Sequence, residues 1–188
     1  MSEPLYEYRD TPFRLLQLLE QRCREASQSQ VGAGNRREWV GVAFRVGKET
    51  FLTSRSDVRE VLNVIPTTRV PGASDWIRGL ANLRSQLIPV IDLARFVGAG
   101  EHEISGKERM LVVNHDKIPV ALIVDEVFGF RRFSDSELAK GKVANTDYQV
   151  EPYVLGTCQR DDNHWSVLGL RKLVESPQFM QSSAASVN

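Results

Sequence analysis

Hydrophobic and polar positions divide this chain into two regimes. Over residues 11–26 the apolar side chains fall at helical spacing: Leu15, Leu16, Leu19, Cys23 and Ala26, with Arg14, Gln17, Glu20, Arg22 and Arg24 filling most of the other positions. Thr11-Pro12 reads as the helix start, because threonine caps and proline fits the first helical position. The pattern predicts one amphipathic helix, whose apolar stripe must be covered by the main body of the chain or by a docking partner. Ser27 to Gly34 is small and polar and reads as a flexible linker.

From Glu38 onward the period changes to two. Val40, Val42, Phe44 and Val46 alternate with other residues, Gly47-Lys48 turns, and Glu49 to Thr53 returns, which predicts a hairpin. Val58 to Ile65 fits a short helix or a strand. Trp76 to Leu83 and Gln86 to Leu93 are apolar segments joined through Arg84-Ser85, and Ala94 to Val97 reads as a helical turn. Met110 to Asn114, Ile118 to Glu126 and Phe128 to Phe133 read as strands, and Val154 to Gln159 pairs with Trp165 to Leu170 across Asp161-Asp162-Asn163. A short helix should begin at Arg171, and a frayed tail should follow Pro177. Nine or ten short strands with frequent turns predict an all-β barrel or sandwich. No βα alternation follows residue 38, so a doubly wound nucleotide-binding sheet is disfavoured. The expected organisation is a helix and linker over 1–37, a main domain over 38–175 and a flexible tail over 176–188.

Composition narrows the function classes. With 188 residues, 41% hydrophobic and 26% charged, the chain can build a core that buries roughly 70% of its unfolded surface without disulfide or metal staples. Lys plus Arg equals Asp plus Glu at 24 each, so the net charge is zero, which argues against a nucleic-acid binder that works by neutralising phosphates. The longest apolar run, Ile118 to Val124, is far short of the roughly 20 residues a membrane-spanning helix needs. The first residues carry no basic and apolar signal segment, and Cys23 and Cys158 read as free thiols, so a cytoplasmic location is expected.

A search for chemistry finds little. His102, His115 and His164 each fall in an expected loop or turn without metal-ligand spacing. No phosphate-binding loop, GxGxxG or GxSxG is present, and Gly98-Ala99-Gly100 does not open a good helix. Ser54, Ser56 and Asp57 resemble a cap or turn. Asp125 and Glu126 are strand neighbours and should point to opposite faces. No cofactor and no small-molecule substrate are expected. What remains is binding.

The most informative stretch is Ile77-x-Gly79-x-x-Asn82-Leu83-Arg84-x-x-x-x-Pro89-Val90-Ile91-Asp92-Leu93. Gly79 removes a side chain mid-strand, which predicts close approach of another backbone, and Pro89 predicts an edge or bulge. Two apolar strands would hold Arg84 on a rigid turn. This stretch resembles the signature of CheW-like chemotaxis coupling domains. Val58-Arg59-Glu60-Val61-Leu62, Val70-Pro71 and Ile123-Val124-Asp125-Glu126-Val127 match further family segments in order, so the resemblance covers residues 38–175. It implies two intertwined SH3-like five-stranded β-barrels, to which the residue pattern adds the N-terminal amphipathic helix and the short C-terminal helix. It also implies no catalysis.

The implied partners are the cytoplasmic tip of a methyl-accepting chemoreceptor and the regulatory domain of a CheA-type histidine kinase, met at membrane-associated receptor arrays without membrane insertion. Carried over by position, the binding residues are Val58, Glu60, Gly79, Asn82, Arg84 and Val127; beside this, Glu60 and Arg84 also suit an intramolecular ion pair or a solvated turn, Val58 and Val127 the core, and Asn82 and Asp92 local backbone bonding. The Thr-Pro-Phe-x-Leu-Leu start, Gln21-Arg22-Cys23-Arg24 and Trp76 are most similar to the family member serving type IV pili and twitching motility. Two alternatives stand beside this: a flagellar chemotaxis CheW, and a β domain that modulates the kinase without receptor contact. One departure is notable. Ser85 stands where the family has glycine, which predicts a turn of different type or a cost of about 1 kcal/mol.

Overall fold

The computed structural model describes residues 38–100, 105–140, 147–160 and 163–184. The helix and linker expected before Glu38 lie outside the described residues. Among the described residues, eleven strands form two mixed sheets. The chain first lays down β1 (Glu38–Val46) and β2 (Glu49–Ser54), with Gly47 at φ +61 in their two-residue turn. It then builds a whole second sheet from β3 (Val58–Asn63), β4 (Ile77–Leu83), β5 (Gln86–Asp92), β6 (Arg109–Val113) and β7 (Ala121–Val124). It returns to the first sheet with β8 (Glu126–Ser134), β9 (Leu138–Lys140), β10 (Val154–Arg160) and β11 (Asn163–Leu168). The orders are β8-β1-β2-β11-β10-β9 and β3-β6-β7-β5-β4, so the five-stranded sheet is an insertion within the six-stranded one. Three α-helices lie among the described residues: α1 (Leu93–Phe96), α2 (Leu170–Val174) and α3 (Pro177–Ala184).

The core explains why so many strands are apolar on both faces. Along β1, Val42, Phe44 and Val46 enter a large core between the sheets, while Ala43 enters a small core belonging to the six-stranded sheet with Leu52, Phe133, Cys158 and Val167. Along β6, Leu111 and Val113 enter the shared core, while Met110 and Val112 enter the small core of the five-stranded sheet. Strand β7 divides the same way, Leu122 and Val124 against Ala121 and Ile123. Each sheet thus curls over a core of its own and shares a third. Strands buried on two sides need no polar face, and their sequences read as continuous apolar runs.

Several expectations need correction. The ambiguous segment after Val58 is a strand, and there are eleven strands because β9 carries too short a pattern to be seen. The expected pair of all-β sheets is present, with five strands in one and, through the short β9, six in the other. His164 lies on β11, and His102 lies outside the described residues. Residues Pro177–Ala184, expected in a frayed tail, form α3: Pro177 takes the first helical position, and Ser176 accepts from the Phe179 N–H through Oγ at 3.4 Å. Phe179 is 5% exposed and packs on Trp76 and Phe96, with centroids 5.6 and 5.5 Å away.

Asp125 and Glu126 also depart from expectation, since both carboxylates meet Arg45, at 3.5 and 3.6 Å. The chain bends at Asp125 as it passes from one sheet to the other, so strand alternation does not apply there. Asp125 is buried; it accepts the Gly47 N–H, while its own N–H donates to the Arg45 carbonyl at 3.0 Å. It ties the β1–β2 turn to the crossing point.

Candidate functional site

The β4–β5 hairpin projects from the five-stranded sheet on a firm base. Leu83 pairs with Gln86 across the two-residue turn Arg84-Ser85, and Asn82 pairs with Leu87. Ala81 and Ile88 anchor the hairpin in the sheet's own core. Both turn residues have positive φ, +50 at Arg84 and +67 at Ser85, as a type I′ turn requires. Ser85 therefore adopts the left-handed conformation itself, and the turn keeps the geometry that glycine would favour. Pro89 sits where β5 has a partner only on the β4 side, because the ladder to β7 begins at Val90. Its missing N–H leaves no gap there.

The turn carries Arg84 to Glu60 on β3, Nη2 to Oε2 at 2.6 Å. Glu60 is largely sheltered at 18% side-chain exposure, and Arg84 is open to solvent at 77%. Strands β3 and β4 are opposite edges of this sheet, so the ion pair spans the seam of a curled sheet. An ion pair this exposed contributes about 0–1 kcal/mol. It orients the guanidinium more than it holds the fold.

The other sequence-derived positions have different surroundings. Gly79 is buried at φ +139, and a Cβ there would lie 2.2 Å from the Thr68 carbonyl oxygen. Thr68 and Leu80 exchange two backbone hydrogen bonds of 2.8 Å, which is the close approach the sequence predicts. Val58 is 2% exposed in the shared core. Val127, on the other sheet opposite Phe44, is half-buried against that same core. Asn82 is exposed on the hairpin. Asp92 is buried and caps α1, accepting the Arg95 N–H at 3.1 Å. The structure thus brings Glu60, Asn82 and Arg84 to one end of the five-stranded sheet and leaves Val58, Gly79 and Val127 inside the fold or against it.

Several exposed apolar side chains escaped the sequence reading, and three of them matter here. Leu87, opposite Asn82, is 68% exposed, and Phe128 and Phe130 stand out from β8, an open sheet edge. Alternation could have found Leu87, because Ile88 and Val90 face the core on either side of Pro89. A bulge with Gly129 at φ +89 breaks the alternation on β8 and hid the phenylalanines.

Among the described residues two groups have displaced titration, and each has a structural cause. The Arg160 guanidinium, bonded to Glu137 at 2.6 and 3.1 Å, holds that carboxyl down at about 2, helped by the Ser134 N–H. Burial pushes the Cys158 thiol up to about 11. Among the described residues no group of three or more His, Cys, Asp or Glu side chains is placed to hold a metal ion, and no helix is long and apolar enough to cross a membrane.

A nested pair of curled sheets offering an ion-paired hairpin and apolar edges defines a β binding module. The CheW-like domain model matches residues 40–178. The chain is 32% identical to Protein PilI of Pseudomonas aeruginosa over 90% of its length and 95% of that relative. It is 31% identical to Chemotaxis protein CheW of Bacillus subtilis, over 60% of this chain and 74% of that one. The crystal structure of scaffolding protein TtCheW from Thermoanaerobacter tengcongensis superposes with a TM-score of 0.66 at 27% identity, covering 74% of this chain and 94% of that one. The chain belongs to the CheW-like domain family, the scaffold proteins of chemotaxis systems.

Proposed function

We propose that this protein is a non-catalytic adaptor that couples the cytoplasmic tip of a methyl-accepting chemoreceptor to a CheA-type histidine kinase, in a pathway controlling type IV pili and twitching motility. Similarity to PilI over nearly the whole of both chains supports the pathway. The observation that carries the coupling role is the Arg84–Glu60 pair on a rigid, exposed hairpin. Glu60, Asn82 and Arg84 present the receptor-facing surface. Val58, Gly79 and Val127 shape it from within, by fixing β3, β4 and the seam between the sheets. The kinase regulatory domain docks on an apolar strand edge, and Phe128 and Phe130 on β8 are exposed anchors for it. Signalling then requires only that the assembly prefer one of the receptor's two signalling states.

The test is titration of the full chain with a receptor cytoplasmic tip from its own chemosensory cluster, wild type against Arg84→Glu, with circular dichroism as the fold control. Reversal of Arg84 places two like charges together and leaves the fold intact, so affinity should fall at least about tenfold. Unchanged affinity with an intact fold removes the hairpin from the interface. A wild type that ignores the receptor but activates kinase autophosphorylation favours the kinase-only role.

A further inference from the structure

At the far end of β4 from Arg84 lies a second surface, about 20 Å along the strand. A depression of about 290 Å³ is lined by Thr67, Arg69, Asp75, Ile77, Arg78 and Arg95. Next to it, an apolar depression of about 300 Å³ runs past Trp76 and Gly98, and the two share Asp75 and Arg95. Arg95 is committed to the frame: its Nε lies 3.6 Å from Asp92, and its Nη1 donates to the Asp75 carbonyl at 3.5 Å. Arg69 and Arg78 are exposed, and among the described residues neither has an ion-pair partner.

The two free arginines are held close by the backbone. The Thr68–Leu80 bridge places Arg69 across from Gly79, one residue from Arg78, and the missing Cβ at Gly79 lets the Arg69 Cα come near. Two like charges lining one depression repel each other. Guanidinium groups are forks suited to carboxylate oxygens. Trp76 supplies a firm apolar floor beside them, because Phe96 and Phe179 back its ring at 5.0 and 5.6 Å.

We propose that this composite groove is a second docking site, which takes an acidic protein segment carrying one bulky apolar residue. Partner carboxylates pair with Arg69 and Arg78, and the apolar residue lies against Trp76. The site goes beyond the hairpin interface and does not depend on it.

The probe is a labelled oligoglutamate peptide with one central phenylalanine, followed by fluorescence anisotropy on the full chain. The same peptide with glutamine for glutamate, and a single-stranded oligonucleotide, are the comparators. Binding is expected for the acidic peptide, weakening as salt rises, and not for the glutamine peptide. Arg69→Glu/Arg78→Glu should lower affinity at least about tenfold, the loss of a charge-assisted hydrogen bond or more. Arg84→Glu should leave it unchanged. If the reversed variant fails to fold, Arg69→Gln/Arg78→Gln serves instead. The proposal is overturned if the acidic peptide does not bind, if it binds both charge variants as well as wild type, or if the oligonucleotide binds more tightly than the peptide.

Discussion

Ser85 is a side chain in a conformation made for none. Its left-handed φ costs about 1 kcal/mol relative to glycine, and the I′ turn keeps its geometry regardless. Ser85→Gly should therefore raise unfolding stability by about 1 kcal/mol in urea titration while leaving receptor-tip affinity unchanged. Glu137 predicts a pH effect of definite sign. Its folded carboxyl titrates at about 2, below its ordinary 4.5, so its contribution is complete above pH 4.5 and is lost as pH falls through about 2. Unfolding midpoints measured across that window should decline more steeply for wild type than for Glu137→Gln. Cys158 is buried with its thiol pushed to about 11. In a Cys23→Ser background a thiol reagent at neutral pH should react only after denaturation; prompt reaction in the native state would contradict this burial.

At the scale of the element, β4 depends on what Gly79 lacks. An alanine there meets the Thr68 carbonyl at 2.2 Å and must also hold φ +139, so Gly79→Ala should cost about 3 kcal/mol, read by thermal unfolding. Asp125 holds together the bend between β7 and β8. Asp125→Ala leaves the Gly47 N–H and the Arg45 guanidinium without their shared acceptor, and should cost about 2–3 kcal/mol. Local signals made the hairpins legible in sequence: β1–β2 announces itself by alternation around Gly47-Lys48, and β4–β5 and β10–β11 as apolar segments flanking a short polar turn. Of the candidate site, the hairpin bearing Asn82 and Arg84 and the close contact at Gly79 were legible for the same reason. An intramolecular ion pair was one of the readings open for Arg84 and Glu60, and the structure makes it; that the pair closes a seam between opposite sheet edges was not legible, and neither was the pairing of β1 with β8. Nothing within a short window encodes such contacts. Helix α3 was legible in principle, since Ser176-Pro177 repeats the cap-and-proline signal seen at Thr11-Pro12, but its small polar residues resemble a tail.

For the whole molecule, the shared core matters more than the two private ones. Residues from both sheets and all three helices meet in it, including Phe44, Leu111, Leu122, Phe96, Leu173 and Phe179. The sheets should therefore unfold as one. Circular dichroism and tryptophan fluorescence, which samples Trp39 and Trp165 in one small core and Trp76 against the shared one, should report a single midpoint. Leu111→Ala should cost about 2–5 kcal/mol of stability and lower that common midpoint without splitting it. The nesting of one sheet inside the other also sets an order of birth. The five-stranded sheet is contiguous from Val58 to Val124 and has every strand in hand once β7 leaves the ribosome. The six-stranded sheet begins earlier, with β1 and β2, yet cannot close until β11 emerges. Its first hairpin therefore waits, apolar and half-paired, through the synthesis of more than a hundred residues. That interval is when the nascent chain is most exposed to aggregation and most in need of a chaperone.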